Sequence, residues 1–214
     1  MLFYGKVALF DFDGTLVDSM PVWGEKMFRI LKIQGITPPD NLLQTITPLG
    51  DNGTLNYYEK NFNLSLTRDE MQREMDDFAQ PKYSNEILEK EDVRRYLHAL
   101  KDQGVKLYIL TASPHKMFEP CLERLGLLSM FEEAWCCDDF KKVKSDPTIY
   151  LDVAKKVGVK PEEITFFDDN KIAIETAKKA GLRTIAVYDK SSELDKESMT
   201  ATADFYANEY SELL

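Results

Sequence analysis

Two aspartates at the end of an apolar run are the residues of this chain best suited to chemistry. The run VALF (7–10) leads into Asp11, and Asp13 follows two positions later, immediately before Gly14. In an extended chain, residues two apart point to the same side, so the two carboxylates would share one face. They would repel each other unless a cation lay between them, and oxygen ligands of this kind suit Mg²⁺. The pair therefore predicts a magnesium site.

Taken alone, the D-x-D pair allows other interpretations. An EF-hand calcium loop would need a third acidic or amide ligand, and Thr15 stands there instead. The metal-binding pair of a sugar-nucleotide glycosyltransferase and a simple charged loop both remain open on these residues. The elements around the pair are needed to choose between them.

Further apolar runs predict a sheet that would position such a site. They cover 106–113, 133–139, 163–169, 183–189 and 203–207. Amphipathic helix patterns separate them, and alternating strands and helices predict a Rossmann-like α/β fold, with a parallel sheet and helices on both faces. Ligands of such sheets bind beyond the carboxyl ends of the strands, which is where the polar endings of these runs would gather.

Local signals predict where several of these helices begin and end. Ser113-Pro114 and Asp146-Pro147 each predict a helix with Ser113 or Asp146 as N-cap and the proline at the first helical position. The pattern AIETAKKAG ends at Gly181, a typical helix stop.

The segment after the first strand has a different pattern. Between residues 17 and 86 the apolar spacing predicts helices only, at 22–35, 53–62 and 67–80. We therefore expect an all-helical cap domain (17–86) inserted into an α/β core formed by 1–16 and 87–214.

Four ordered motifs resemble those of the haloacid dehalogenase superfamily. FDFDGTLVDS (10–19) resembles its first motif, LYILTAS (107–113) its second, KSDPTIY (144–150) its third and FFDDNKIAIETAKKAG (166–181) its fourth. The match is closest to the phosphatase branch with a helical cap, which includes enzymes similar to phosphoglycolate phosphatase and β-phosphoglucomutase. It spans residues 5–20 and 88–190.

The resemblance implies a role for each motif residue. Asp11 would be the nucleophile that forms an aspartyl-phosphate, and Asp13 would protonate the leaving oxygen and then deprotonate water. Dehalogenases of the superfamily lack the second aspartate, so Asp13 favours phosphoryl transfer. Thr111 and Lys144 would complete the catalytic set. The expected phosphate-binding residues are Gly14, Thr15, Thr111, Ser113 and Lys144, and the expected metal ligands are Asp11, Asp13, Asp168 and Asp169.

Other residues with chemical potential have simpler interpretations. Asp18 and Ser19 could belong to the site, but the N-cap of the first helix of the insert is the favoured interpretation. His98 fits a structural helix position, and His115 lies near the active edge without a role in any motif. The three cysteines show no zinc-binding spacing and are expected to be reduced and buried: Cys121, Cys136 and Cys137.

Charge and composition limit the partners. The net charge of −10 disfavours binding to nucleic acid or to anionic membranes. There is no signal peptide pattern and no apolar run long enough to span a membrane, so we expect a cytoplasmic location. Capped enzymes of this kind are often monomeric, and a monomer is expected.

The expected substrate is a small phosphorylated metabolite. Phosphoglucomutase-like members of the superfamily have an arginine in the cap segment that binds the sugar phosphate. The comparable segment here, TPLGDNGT (47–54), has no arginine. A phosphatase is therefore favoured, with a phosphosugar mutase as the alternative. A phospho-accepting receiver domain is disfavoured by the order of the motifs. In a receiver the acidic pair lies on the first strand and the lysine comes last, whereas in this chain Lys144 comes before the acidic pair Asp168-Asp169.

Overall fold

A computed structural model describes residues 5–214, apart from the side chain of Pro48. Within this range the strands form a single six-stranded parallel sheet with the order β3-β2-β1-β4-β5-β6. All six predicted strands are confirmed: β1 (Val7–Phe10), β2 (Lys106–Thr111), β3 (Glu133–Cys136), β4 (Ile164–Asp168), β5 (Arg183–Val187) and β6 (Phe205–Ala207).

Strand β1 lies inside the sheet and is buried on both faces. Ala8 and Phe10 belong to the apolar cluster on one side of the sheet, which includes residues of α5 (Val93–Asp102) and α6 (His115–Arg124). Val7 and Leu9 belong to the cluster on the other side, which includes α7 (Thr148–Val157) and α8 (Lys171–Lys179). This two-sided burial explains why the run is continuously apolar rather than alternating. A short helix, α9 (Lys196–Thr202), follows β5.

Between β1 and β2 the chain forms the expected helical insert. Its helices are α1 (Met20–Ile33), α2 (Leu42–Ile46), α3 (Gly50–Asn61) and α4 (Arg68–Asn85). They share an apolar cluster of their own that includes Trp23, Met27 and Tyr58. The predicted fold class is confirmed. The domain boundaries at 17 and 86 stay a prediction, and residues 1–4 of the expected core lie outside the described residues.

Several predicted helix boundaries were wrong. Helix α1 covers Met20–Ile33 rather than 22–35, and α3 covers Gly50–Asn61 rather than 53–62. Helices α6 and α7 begin one residue later than expected, with Pro114 and Pro147 rather than Ser113 and Asp146 at the N-cap. The Asp146 carboxylate instead accepts hydrogen bonds from the Thr148 N–H and hydroxyl in a local turn, at 2.9 and 2.7 Å.

Helix α4 continues through Pro81 to Asn85, where the pattern had predicted an end at residue 80. Its last turn is stabilised by the burial of Tyr83, which outweighs the hydrogen bond lost at the proline. No helix in residues 5–214 has the length and apolar character needed to cross a membrane.

Candidate active site

The carboxyl ends of β1, β2 and β4 bring most of the predicted site residues together. Asp11 follows β1, Thr111 ends β2, and Asp168 ends β4 just before Asp169. The main-chain hydrogen bonding between β1 and β4 continues to Asp11, whose N–H donates to the Phe167 carbonyl at 2.9 Å. Oxygens of Asp11, Asp168 and Asp169 lie within 4.8 Å of one another, and all three side chains are buried.

Lys144 joins this group from the loop before α7. Its Nζ lies 2.5 Å from Asp11 Oδ1 and 2.8 Å from Asp168 Oδ2. The buried Tyr150 hydroxyl donates to the Lys144 carbonyl at 3.0 Å, which fixes the loop. Burial lowers the pKa of Lys144, but the charges of Asp11 and Asp168 outweigh it and raise this pKa above its ordinary value. The side chain is therefore an ammonium that faces two carboxylates.

The three carboxylates carry more negative charge than Lys144 balances. Burial raises the pKa of Asp11 to about 7, although the Lys144 charge opposes it. Burial also raises the pKa of Asp168 and, reinforced by the Asp168 charge, that of Asp169. A buried, all-oxygen donor set with surplus negative charge fits a hard divalent cation such as Mg²⁺.

Asp13 has a different environment. Its Oδ1 accepts hydrogen bonds from the Ser19 hydroxyl at 2.6 Å and from the Tyr83 hydroxyl at 2.5 Å. Its Oδ2 accepts a third from the Ser113 hydroxyl. Burial, followed by the charge of Asp11, raises the pKa of Asp13. Three hydroxyls thus hold this carboxyl in one orientation, and a metal-binding role for Asp13 stays a prediction.

These contacts change the interpretation of two serines. Ser19 stands at the N-cap of α1 as expected, but its side chain caps no helix N–H and donates to Asp13 instead. The Ser113 hydroxyl does the same. Tyr83 was not anticipated, because it lies 70 positions from Asp13 in the chain and only the packing of α4 on the core brings them together.

Gly14 and Thr15 pack against the Asp169 carboxylate. Gly14 has φ +71°, and a Cβ there would lie 2.5 Å from Asp169 Oδ2. The Thr15 hydroxyl donates to Asp169 Oδ1 at 3.5 Å. The structure therefore places both residues at the site, while their binding of phosphate stays a prediction.

A cavity of only about 10 Å³ lies above the carboxylates. This is room for about one water molecule. Trp23 and Thr47 of the insert close it from above. Asn170, which was not predicted as a site residue, lines it and caps α8 by accepting from the Ile172 and Ala173 N–H groups. The remaining lining residues are Asp11, Asp13, Thr111, Ala112, Lys144 and Asp168.

Comparisons with known proteins show which family this chain resembles. The family model described as haloacid dehalogenase-like hydrolase matches residues 8–187. The Bacillus subtilis protein YhcW is 30% identical over 187 residues, which are 86% of this chain and 84% of its own. The phosphorylated carbohydrates phosphatase of Thermotoga maritima is 27% identical, with 84% of this chain and 83% of that protein aligned.

A solved structure shows the same fold. The crystal structure of CbbY from Rhodobacter sphaeroides, in complex with phosphate, superposes with a TM-score of 0.82 at 20% identity, covering 98% of this chain and 96% of that one. The family model and the Bacillus subtilis relative confirm the resemblance drawn from the four motifs, and the chain belongs to the haloacid dehalogenase-like hydrolase family.

Proposed function

We propose that the chain is a Mg²⁺-dependent phosphatase that hydrolyses a small phosphorylated metabolite through an aspartyl-phosphate on Asp11. The contrast between Asp11 and Asp13 carries this proposal. Asp11 faces the Lys144 ammonium beside two further carboxylates, whereas Asp13 is held by three hydroxyls. Two carboxyl groups in such different environments suit two different roles.

In the first half of the reaction Asp11 acts as the nucleophile. One of its oxygens attacks phosphorus, the bond between phosphorus and the ester oxygen breaks, and the leaving oxygen takes a proton from Asp13. Lys144, already within 2.5 Å of Asp11, would balance charge on the phosphoryl oxygens. Thr111 at the end of β2 would donate a hydrogen bond to the same group.

In the second half Asp13 acts as a base. It takes a proton from a water molecule, whose oxygen attacks phosphorus, and the bond between phosphorus and Asp11 breaks. Inorganic phosphate leaves, and both carboxyl groups return to their starting states. The hydrogen bonds from Ser19, Tyr83 and Ser113 would keep Asp13 in place through both proton transfers.

Asp11, Asp168 and Asp169 are the residues that would hold the magnesium ion. When bound, the ion would neutralise charge on the phosphoryl oxygens and reduce the repulsion between phosphate and the carboxylates. The buried all-oxygen donor set and the raised pKa values of these groups support this assignment.

The helical insert supplies the cap in this proposal. Residues 17–86 would form a domain that closes over the bound substrate and excludes water. The Thermotoga maritima relative is named for phosphorylated carbohydrates, which favours a phosphorylated sugar or polyol as the substrate. Action as a monomer in the cytoplasm stays a prediction.

A panel assay tests the proposed function. The purified protein is incubated with phosphorylated sugars, polyols and small acids, and free phosphate is measured with Mg²⁺ and then with excess chelator. We expect Mg²⁺-dependent release that disappears in Asp11→Asn and persists in Asp18→Asn, a control that changes an exposed carboxylate in the same segment. Conversion of β-glucose 1-phosphate to the 6-phosphate without phosphate release would instead establish the mutase.

A further inference from the structure

A second group of metal-ligating side chains lies at the same edge of the sheet. His115 opens α6, Cys136 ends β3, and Asp139 lies in the 3₁₀ turn that follows, Cys137–Phe140. Because β2 and β3 are parallel neighbours, the loop after β2 and the end of β3 meet there. One ligating atom from each side chain lies within 4.8 Å of the other two, and His115 Nε2 is 2.8 Å from Asp139 Oδ2.

The chemistry of these three donors differs from that of the aspartate group. An imidazole nitrogen, a thiolate sulfur and a carboxylate oxygen suit a borderline transition-metal ion such as Zn²⁺, rather than Mg²⁺ or Ca²⁺. Tetrahedral coordination at about 2.0–2.3 Å places ligating atoms about 3.3–3.8 Å apart. The three donors therefore need only small side-chain movements to share one ion, with a fourth position left for water.

Glu119 provides an independent indication of this site. It lies one turn after His115 in α6, and its Oε1 is 2.7 Å from His115 Nδ1. Histidines that bind metals typically donate their second ring N–H to a carboxylate, which fixes the tautomer. With the proton on Nδ1, Nε2 keeps a lone pair with which it can bind a metal ion.

Local contacts also preorganise Cys136 and Asp139. Asp139 Oδ2 accepts a hydrogen bond from the Cys136 N–H at 2.9 Å, while the Cys136 sulfur accepts one from the Asp139 N–H. Cys136 is buried, but the side chains of His115 and Asp139 are 40% and 38% exposed. An ion can therefore reach the site from solvent.

Protons compete with a metal for this site. Burial lowers the pKa of His115, but Glu119 and Asp139 outweigh it and raise this pKa above its ordinary value. Burial raises the pKa of Cys136 to about 11, so its thiol keeps its proton without a cation. Binding of an ion releases the thiol proton, and the Nε2 proton of a protonated His115, to solvent, and it forms metal–sulfur and metal–nitrogen bonds without any change of oxidation state.

We propose that His115, Cys136 and Asp139 bind one divalent transition-metal ion of the zinc class, at a site separate from the magnesium site. The ion would join the loop after β2 to the turn after β3. Ser113, two residues before His115, donates to Asp13, and Asn52 of the insert donates to Asp138 beside Asp139 at 2.8 Å. The bound ion would thus stiffen a segment that contacts both the proposed acid–base residue and the insert.

Cobalt substitution tests this proposal without any activity assay. Co²⁺ is titrated into the intact protein in excess Mg²⁺ and a non-chelating reductant, while the thiolate-to-cobalt charge-transfer band is followed. The aspartate group has only oxygen donors, so it produces no such band. We expect one equivalent of Co²⁺ to give the band, and Zn²⁺ to abolish it by displacement.

Variants separate the proposed ligands from nearby groups. Cys136→Ser and His115→Ala should lose the band, and Glu119→Gln should weaken Co²⁺ binding about 10–100-fold. Cys121→Ser, which changes another buried cysteine, and Asp11→Asn should bind as the wild type does. Thermal unfolding checks that each variant folds. If the buried change Cys136→Ser prevents folding, His115→Ala still tests the site, because the His115 side chain is half-exposed.

Two results would overturn the site: absence of a thiolate band in the wild type, or a band that survives in Cys136→Ser. Either result would leave the proposed phosphatase unaffected, because that function is measured with Mg²⁺ alone.

Discussion

Asp11 and Asp13 lie only two positions apart, yet they have different neighbours. Asp11 contacts the Lys144 ammonium, and Asp13 accepts hydrogen bonds from three neutral hydroxyls. The Lys144 ammonium favours the charged form of Asp11 that a nucleophile needs, and so opposes the burial that raises the pKa of this group. The three hydroxyls hold the Asp13 carboxyl group in place whether it has a proton or not, which suits a group that gives and takes one.

Tyr83 should act as a positioning residue for Asp13. Burial raises the pKa of Tyr83, so its hydroxyl keeps the proton that it donates. A hydrogen bond to a charged group contributes about 1.5–3 kcal/mol. We therefore expect Tyr83→Phe to reduce kcat about tenfold or more, measured as steady-state phosphate release.

The matched control for Tyr83→Phe is Tyr58→Phe. Tyr58 is also buried, but its hydroxyl donates to the Met27 carbonyl inside the insert. This control should lose about 1 kcal/mol of stability and keep its kcat. A Tyr83→Phe enzyme with wild-type kcat and an unchanged pH profile would show that Tyr83 only packs against the core.

Lys144 should be important for both folding and turnover. Removing one partner of a buried ion pair leaves an uncompensated charge and costs about 3–5 kcal/mol. Lys144→Ala should therefore lower the urea midpoint of unfolding as well as abolish measurable phosphate release. The control is Lys142→Ala, which removes a half-exposed ion pair with Asp152. It should change the free energy of unfolding by less than about 1 kcal/mol. Normal turnover in Lys144→Ala would mean that another residue balances the phosphate charge.

The strand ends were predictable from the sequence, but several side-chain roles were not. Apolar runs that end in polar residues predicted β1 to β5, because parallel strands are buried on both faces and end where water or ligand begins. The roles of Ser19 and Ser113 could not be read from sequence, because a hydroxyl before a helix fits a cap as well as it fits a distant carboxylate. His115 carried no signal either, since its partners Cys136 and Asp139 approach only through the β2–β3 pairing.

The turn that leaves β1 requires glycine for two reasons. Gly14 has φ +71°, and a Cβ there would come within 2.5 Å of Asp169 Oδ2. We expect Gly14→Ala to displace the Asp169 carboxylate, to weaken Mg²⁺ activation and to lower the melting temperature. Activity measured against Mg²⁺ concentration, together with calorimetry, would detect both effects.

Gly35→Ala is the control for backbone strain alone. Gly35 has φ +68° but has no neighbouring atom within 4 Å of the added Cβ. It should lose about 1 kcal/mol of stability and keep its Mg²⁺ dependence. Equal behaviour of the two variants would show that the contact between Gly14 and Asp169 has no role in the site.

For the whole molecule, the size of the cavity implies movement. A larger cavity of about 1550 Å³ lies beside the site, between α1 and the end of β5. However, the space directly over Asp11 and Lys144 is only about 10 Å³ and cannot hold the phosphate of a metabolite. The structure is therefore a closed arrangement, in which Trp23 covers the site. Polar contacts between insert and core, including Asn52 with Asp138 and Asp76 with Lys116, would hold this arrangement and must break when substrate enters.

Fluorescence quenching would detect this opening. The chain has two tryptophans, so Trp135→Phe leaves Trp23 as the reporter. Trp23 is only 2% exposed. We expect acrylamide to quench it more than such burial allows, and Mg²⁺ with a phosphate analogue such as beryllium fluoride to suppress the quenching. Equally weak quenching with and without the analogue, in an enzyme that turns over, would indicate a fixed insert.

In the proposed reaction the phosphoryl group passes through Asp11. To trap this intermediate, enzyme in excess is mixed with a preferred substrate and Mg²⁺, quenched at intervals with acid, and reduced with borohydride. An aspartyl-phosphate at position 11 becomes homoserine, which peptide mass spectrometry locates. We predict homoserine at residue 11 that rises and then falls within the single turnover. Complete phosphate release without homoserine there at any time, or with homoserine at another aspartate, would show that Asp11 is not the nucleophile.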